Sequence, residues 1–118
     1  DGDATRGRTA YALCYRLAER DLESEDRSLK GWAHGTLAEL ELIRDAYGAE
    51  ARGTKKQVLL HCRHLVALMG RNSFHADSTR RQMQRYADGW HLGEDWAHND
   101  WSAIARLAVT ELQGRNTI

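Results

Sequence analysis

The chain has 118 residues, with 17 Lys plus Arg against 17 Asp plus Glu, two cysteines and no proline. That length suits one domain over residues 1–118, and no apolar run of roughly 18 or more exists to span a membrane. With no basic-then-apolar leader in the given chain and too few cysteines for a disulfide scaffold, the expectation is a protein of the reducing cytoplasm without cofactors.

The absence of proline, with abundant Ala, Leu, Arg and Glu, favours helix throughout. In residues 8–23, Tyr11, Cys14, Tyr15, Ala18 and Leu22 recur at helical spacing on one face, and Arg16, Glu19, Arg20 and Glu23 take the other. A second helix is expected from about Asp26 to Tyr47, with a stripe of Leu29, Trp32, Ala33, Thr36, Leu40, Ile43 and Tyr47 and a stop at Gly48. Gly31 and Gly35 either weaken its first turns or admit a close neighbour. The third spans Thr54, a fitting N-cap, to Met69 before Gly70, with Val58, Cys62, Leu65, Val66 and Met69 inward. Leu60 and Leu68 lie off that stripe, which suggests a central helix touched on two sides.

The fourth helix is expected after Asp77 or Ser78, carrying Met83, Tyr86, Ala87 and Trp90 on one face. The fifth starts near Asp100, with Trp101, Ile104, Ala105, Ala108 and Leu112 together and Gly114 beyond. No strand-like alternation of useful length appears. The reading is an all-α, single-domain bundle of four to five amphipathic helices.

The zero net charge hides three unequal blocks. Residues 1–51 sum to −4, residues 52–85 to +7 and residues 86–118 to −3. The middle block holds Arg52, Lys55, Lys56, Arg63, Arg71, Arg80, Arg81 and Arg85 against Asp77 alone. On the fourth helix, Arg80, Arg81, Gln84 and Arg85 lie opposite the apolar stripe. On the third, Lys56, Arg63 and His64 lie away from the Val58–Met69 face. If the two helices are antiparallel neighbours, one basic surface results, suited to phosphates, with Asn72, Ser73 and Gln84 as further donors. If the block instead faces the acidic first and last helices, it is neutralised within the fold. Gly70 to Asp77 is too long for the turn of a helix-turn-helix reader, so backbone contact is favoured over base reading.

Other chemistry finds less support. His61 and His64 share a helix, but Cys62 between them faces the apolar stripe and no Glu-x-x-His pair accompanies them, so no metal site is expected. Cys14 and Cys62 on apolar faces read as buried, inert thiols. The run Glu23, Glu25 and Asp26 suits a turn and a helix start, where the dipole favours carboxylates. No phosphate loop, nucleophile elbow or paired-carboxylate motif is present. Trp90, Trp96 and Trp101 fall close together. Trp96 lies in the connection after Gly93, where it serves either as a protein-interface anchor or as a cap on the bundle.

Arg71-Asn72-Ser73-Phe74-His75 resembles the Arg-Asn-x-x-x-His element of the HEPN family of helical ribonucleases, with three residues rather than four or more between arginine and histidine. The resemblance covers these five residues and implies RNA cleavage in which Arg71 and His75 act on the scissile phosphate, usually across a dimer. The preferred expectation is a non-catalytic module in a nucleoprotein assembly, similar in size and charge to the small subunits of CRISPR effector complexes of bacterial defence. It binds RNA or single-stranded DNA backbone through Lys55, Lys56, Arg63, Arg71, Arg80, Arg81 and Arg85, and packs on protein neighbours. It has no small-molecule substrate. The alternative is a pure protein-binding module, such as an immunity protein, inhibitor or phage-type regulator, that uses Trp96 and the acidic ends.

Overall fold

A computed structural model describes residues 2–44, 54–89 and 101–113, with side chains from residue 5 onward. The described residues form five helices: α1 (Gly2–Leu22), α2 (Arg27–Leu42), α3 (Thr54–Met69), α4 (Phe74–Ala87) and α5 (Trp101–Gln113). No strand occurs among the described residues, and the protein is an all-α helical bundle. No helix among them is long and apolar enough to cross a membrane.

Four of the helices enclose the core. α3 packs mainly on α2 and α5, and α4 mainly on α5 and α2, so α3 and α4 stand diagonally across the bundle. Side-chain pairs give the directions. His34 meets His61 and Arg27 reaches the Leu68 carbonyl, so α2 and α3 run antiparallel. Gly35 meets Thr79 and Glu39 meets Tyr86, so α2 and α4 run the same way. Leu42, Val58, Cys62, Leu65, Met83, Tyr86, Ala105, Ala108 and Leu112 fill the shared interior. α1 lies outside this ring, against α2.

The third helix forms over the expected residues and ends at Gly70, whose φ of +88° is one that glycine adopts without penalty. Its expected inward face holds: Val58, Cys62 and Leu65 are fully buried, with Val66 and Met69 packed alongside. Asp26 caps α2, its side chain accepting from the Ser28 and Leu29 amides. The fifth helix also buries its expected face, with Trp101, Ala105, Ala108 and Leu112 in the core and Ile104 against it.

Several expectations are corrected. α4 begins at Phe74 rather than after Asp77, because Ser73 caps it by accepting from the Ala76 amide. The turn between α3 and α4 is therefore only Gly70–Ser73, and the spacing argument against a helix-turn-helix connection falls. On α2, Leu29, Trp32 and Thr36 are exposed, while Gly31, Ala33, Gly35, Leu37, Ala38, Leu40, Glu41 and Leu42 are buried. Gly31 and Gly35 do admit close neighbours, namely the side chains of Met69 and Thr79. α3 is touched on two sides, by α2 and α5, and α2 is enclosed further still, with α1, α3 and α4 all packed on it. Finally, Cys14 is exposed, and α1 buries only Ala18 completely, with Tyr11, Tyr15 and Leu22 half-buried. Tyr47, Gly48, Arg52, Trp90, Gly93, Trp96, Asp100 and Gly114 lie outside the described residues.

Two buried or half-buried carboxylates tie α2 to its neighbours. Glu41 is 2% exposed, accepts from the Tyr15 hydroxyl of α1 and pairs with Arg44 at 3.1 Å. Glu39 accepts from Tyr86 at 2.8 Å and Gln82 at 3.0 Å, both on α4. Neither has a sequence signature, because what defines each one is its tertiary partner.

Candidate nucleic-acid interface

The diagonal placement of α3 and α4 separates the two halves of the basic block. Lys55, Lys56 and Arg63 are exposed on α3. Arg63 turns to α5, where its Nε pairs with Glu111 at 3.0 Å, so part of its charge is answered within the fold. Arg71 is exposed at the α3–α4 turn and shares a groove with Arg80, Asp77, Leu112 and Gln113. Arg80, Arg81 and Arg85 all belong to α4. The seven residues therefore do not make one continuous surface.

The α4 face is the more developed of the two. Ala76, Thr79, Met83, Tyr86 and Ala87 point into the bundle, which leaves Phe74, Ser78, Arg81 and Arg85 on the outer side at i, i+4, i+7 and i+11. Phe74 is 72% exposed and the Arg81 side chain 70% exposed. Asp77 sits beside this stripe and pairs with Arg80 at 2.8 Å and Arg81 at 3.0 Å. The hydrogen bond from Arg80, with Arg81 close by, holds its carboxyl below the usual range. Arg85 donates to Gln82 at 3.1 Å. These exposed pairs fix side-chain directions more than they stabilise the fold.

An aromatic cluster stands at the head of the stripe. Trp32 from α2 meets Phe74 edge-to-face with ring centroids 5.8 Å apart, and lies 4.3 Å from the ring of His75. His75 also shares a hydrogen bond of 2.9 Å with the Ser28 hydroxyl. Gly31 leaves room beside the cluster: a Cβ there would sit 3.1 Å from the His75 ring, a contact relieved by a shift of a few tenths of an ångström. Composition and periodicity gave no hint of it. Periodicity places Trp32 on the core stripe, and Phe74 falls at the first residue of a helix expected to begin later.

This geometry bears on the ribonuclease-like element. His75 is turned to α2, and Arg71 lines the groove toward α5 on the other side of α4. Within one chain the two side chains do not converge.

A second cluster, on the other side of α2, brings His34 to the His61 and His64 pair of α3. His34 Nδ1 lies 3.1 Å from His61 Nδ1, and the His34 ring stacks on His64 with centroids 5.0 Å apart. Burial, with His61 and His64 adjacent, pushes His34 down to about 4, and burial also lowers His61. Neutral rings sharing one N–H···N bond account for the contact. Among the described residues no group of three or more His, Cys, Asp or Glu is placed to hold a metal ion. Cys62 is buried in the core, which pushes its thiol up to about 12, while Cys14 is exposed. Trp96 lies outside the described residues.

Comparison with protein-family models, with curated proteins and with solved structures finds no match to this chain.

Proposed function

We propose that the protein is a non-catalytic nucleic-acid-binding module that holds a single strand of RNA or DNA along the outer face of α4. The observation that carries this reading is Phe74, largely exposed and braced by Trp32, at the head of a stripe that continues through Arg81 and Arg85. An exposed ring offers a base a stacking partner whatever its sequence, and guanidiniums spaced up the same helix face meet the backbone that follows. Arg71 at the α3–α4 turn extends the positive track past the aromatic end. Lys55, Lys56 and Arg63, on the diagonal helix, belong to a separate surface and take no part in this site. Two free cysteines suit a reducing cytoplasm, where we place the protein.

The four-residue turn before α4 supports a second reading, in which α4 enters duplex DNA as a recognition helix. A bulky aromatic pair at the N-terminal end of that helix fits an unstacked base better than a groove edge, so the single strand is preferred.

Fluorescence anisotropy with labelled oligo-uridine, oligo-thymidine and a duplex, across a salt series, tests the reading. The single strands should bind more tightly than the duplex. Changing Arg81 and Arg85 to Gln should weaken single-strand binding and reduce the salt slope by about 1.4, the value for two lost phosphate contacts on a single strand. Phe74→Ala should weaken binding by about 1–3 kcal/mol and leave the salt slope unchanged. Unchanged affinity in both variants, or no binding by the wild type, would overturn the proposal.

A further inference from the structure

α1 is half used by the fold. Its inner side, Tyr11, Tyr15, Ala18 and Leu22, lies against α2, with Tyr11 donating to the Leu40 carbonyl at 2.6 Å and Tyr15 to Glu41. Its outer side carries a second apolar strip of Ala10, Leu13 and Leu17, with Cys14 at its edge. Leu13 is 57% and Leu17 44% exposed, in a helix that packs to any extent only on α2 among the described residues. The strip continues at helical spacing to Arg6 at one end and Asp21 at the other, in the series 6, 10, 13, 17 and 21.

That order of charges says what covers the strip. Two copies of α1 laid antiparallel about a two-fold axis between residues 13 and 14 set each residue opposite the one equally far from that axis along the other copy. Arg6 of one copy then faces Asp21 of the other, Ala10 faces Leu17, and Leu13 faces Cys14. Both ends of the contact are ion pairs, and a small residue meets a large one at each layer between them. An isologous contact requires a patch that is its own complement, and this one is. A parallel pairing would instead set Arg6 against Arg6 and Asp21 against Asp21, like charges at both ends.

We infer that the protein forms a two-fold homodimer through an antiparallel pairing of α1, with Leu13 and Cys14 at its centre, Leu17 on Ala10 to either side and Arg6–Asp21 pairs closing both ends. The dimer sets two copies of the α4 face on one particle. The inference stands independently of what that face binds.

Sedimentation velocity on the whole chain over a dilution series tests it, with circular dichroism to confirm folding of each variant. The wild type should pass from dimer to monomer on dilution. Leu13→Glu with Leu17→Glu should be monomeric throughout, with the helical signal kept. Arg6→Asp alone and Asp21→Arg alone should each raise the dissociation constant at least tenfold. The double variant R6D/D21R restores opposite charges only in the antiparallel register, and should return the constant to within a few-fold of wild type. A wild type that stays monomeric at every concentration would overturn the inference. So would a double variant no better than the single ones, or association unaffected by the Leu13 and Leu17 changes.

Discussion

α1 and α2 are adjacent in sequence and in space, yet they are built in opposite ways. α2 is 16 residues long and buries eight of them, surrounded by α1, α3 and α4. α1 is 21 residues long, and Ala18 alone of its described side chains is fully buried. The richer apolar content of an inner helix does not explain this, since α2 is buried partly through Gly31, Gly35, Ala33 and Ala38. Its small residues let neighbouring helices come close. The large side chains of α1 meet only one neighbour. Burial in this bundle follows position and backbone approach as much as side-chain hydrophobicity.

The sharpest test of that contrast is at Gly35. A Cβ there would sit 2.5 Å from Thr79 Oγ1, and a β-branched threonine has few rotamers to yield with. Gly35→Val should destabilise the protein by about 2–3 kcal/mol through overpacking, seen as a lower urea midpoint. Gly31 provides the control. Its added Cβ would meet Met69 Cγ at 2.7 Å, but a methionine side chain can swing aside. Gly31→Ala, with up to about 1 kcal/mol of helix propensity in its favour, should be close to neutral.

The joint between the two helices comes next. Tyr15→Phe removes the hydroxyl that Glu41 accepts from and leaves that buried carboxylate with Arg44. The expected loss is about 1–3 kcal/mol, the cost of an under-satisfied buried polar group. Chemical denaturation at neutral pH measures it. Burial beside Glu41 pushes the hydroxyl of Tyr15 up, and that of Tyr11 up to about 12. Neither phenol should titrate spectroscopically at the usual value near 10 while the protein is folded.

The histidine cluster gives the inner helix a pH dependence in the acid range, where the α1 tyrosines do not titrate. His34 is held at about 4, below its usual 6.5, and faces His61 and His64 on α3 and Lys30 on its own helix. Glu41 acts on His61 in the opposite sense. Between pH 6.5 and 4 the unfolded chain binds a proton at His34 that the folded chain does not. The stability this site contributes is therefore complete above pH 6.5 and falls as the pH drops toward 4. His34→Gln should flatten that part of the stability profile, measured by denaturation at pH 7 and pH 5.

How far each part could be read in advance depended on what defined it. α3 was legible because its apolar stripe and its terminal Gly70 are local signals, although Thr54, expected as the cap, is already the first residue of the helix. α2 was misphased because periodicity counts apolar side chains, and glycines that face the core are invisible to it. The outward direction of Arg81 and Arg85 followed from the Met83–Tyr86 stripe opposite them. The pairing of Phe74 with Trp32, of His34 with His61, and of Glu39 with Tyr86 each joins residues more than 25 positions apart. No local pattern could have announced them.

The smallest effect on the fold, and the one that best separates the two helices, is expected on the outer face of α1. Leu17→Gln removes apolar area that the single chain leaves exposed, so in dilute solution its melting temperature should match the wild type, within about 0.5 kcal/mol. Raising the protein concentration should change that. If α1 pairs with a second copy, association stabilises the folded state by mass action, and the wild-type midpoint climbs with concentration while that of Leu17→Gln stays flat. The same substitution then reads as neutral or destabilising according to concentration alone, a dependence that no contact inside a single chain produces.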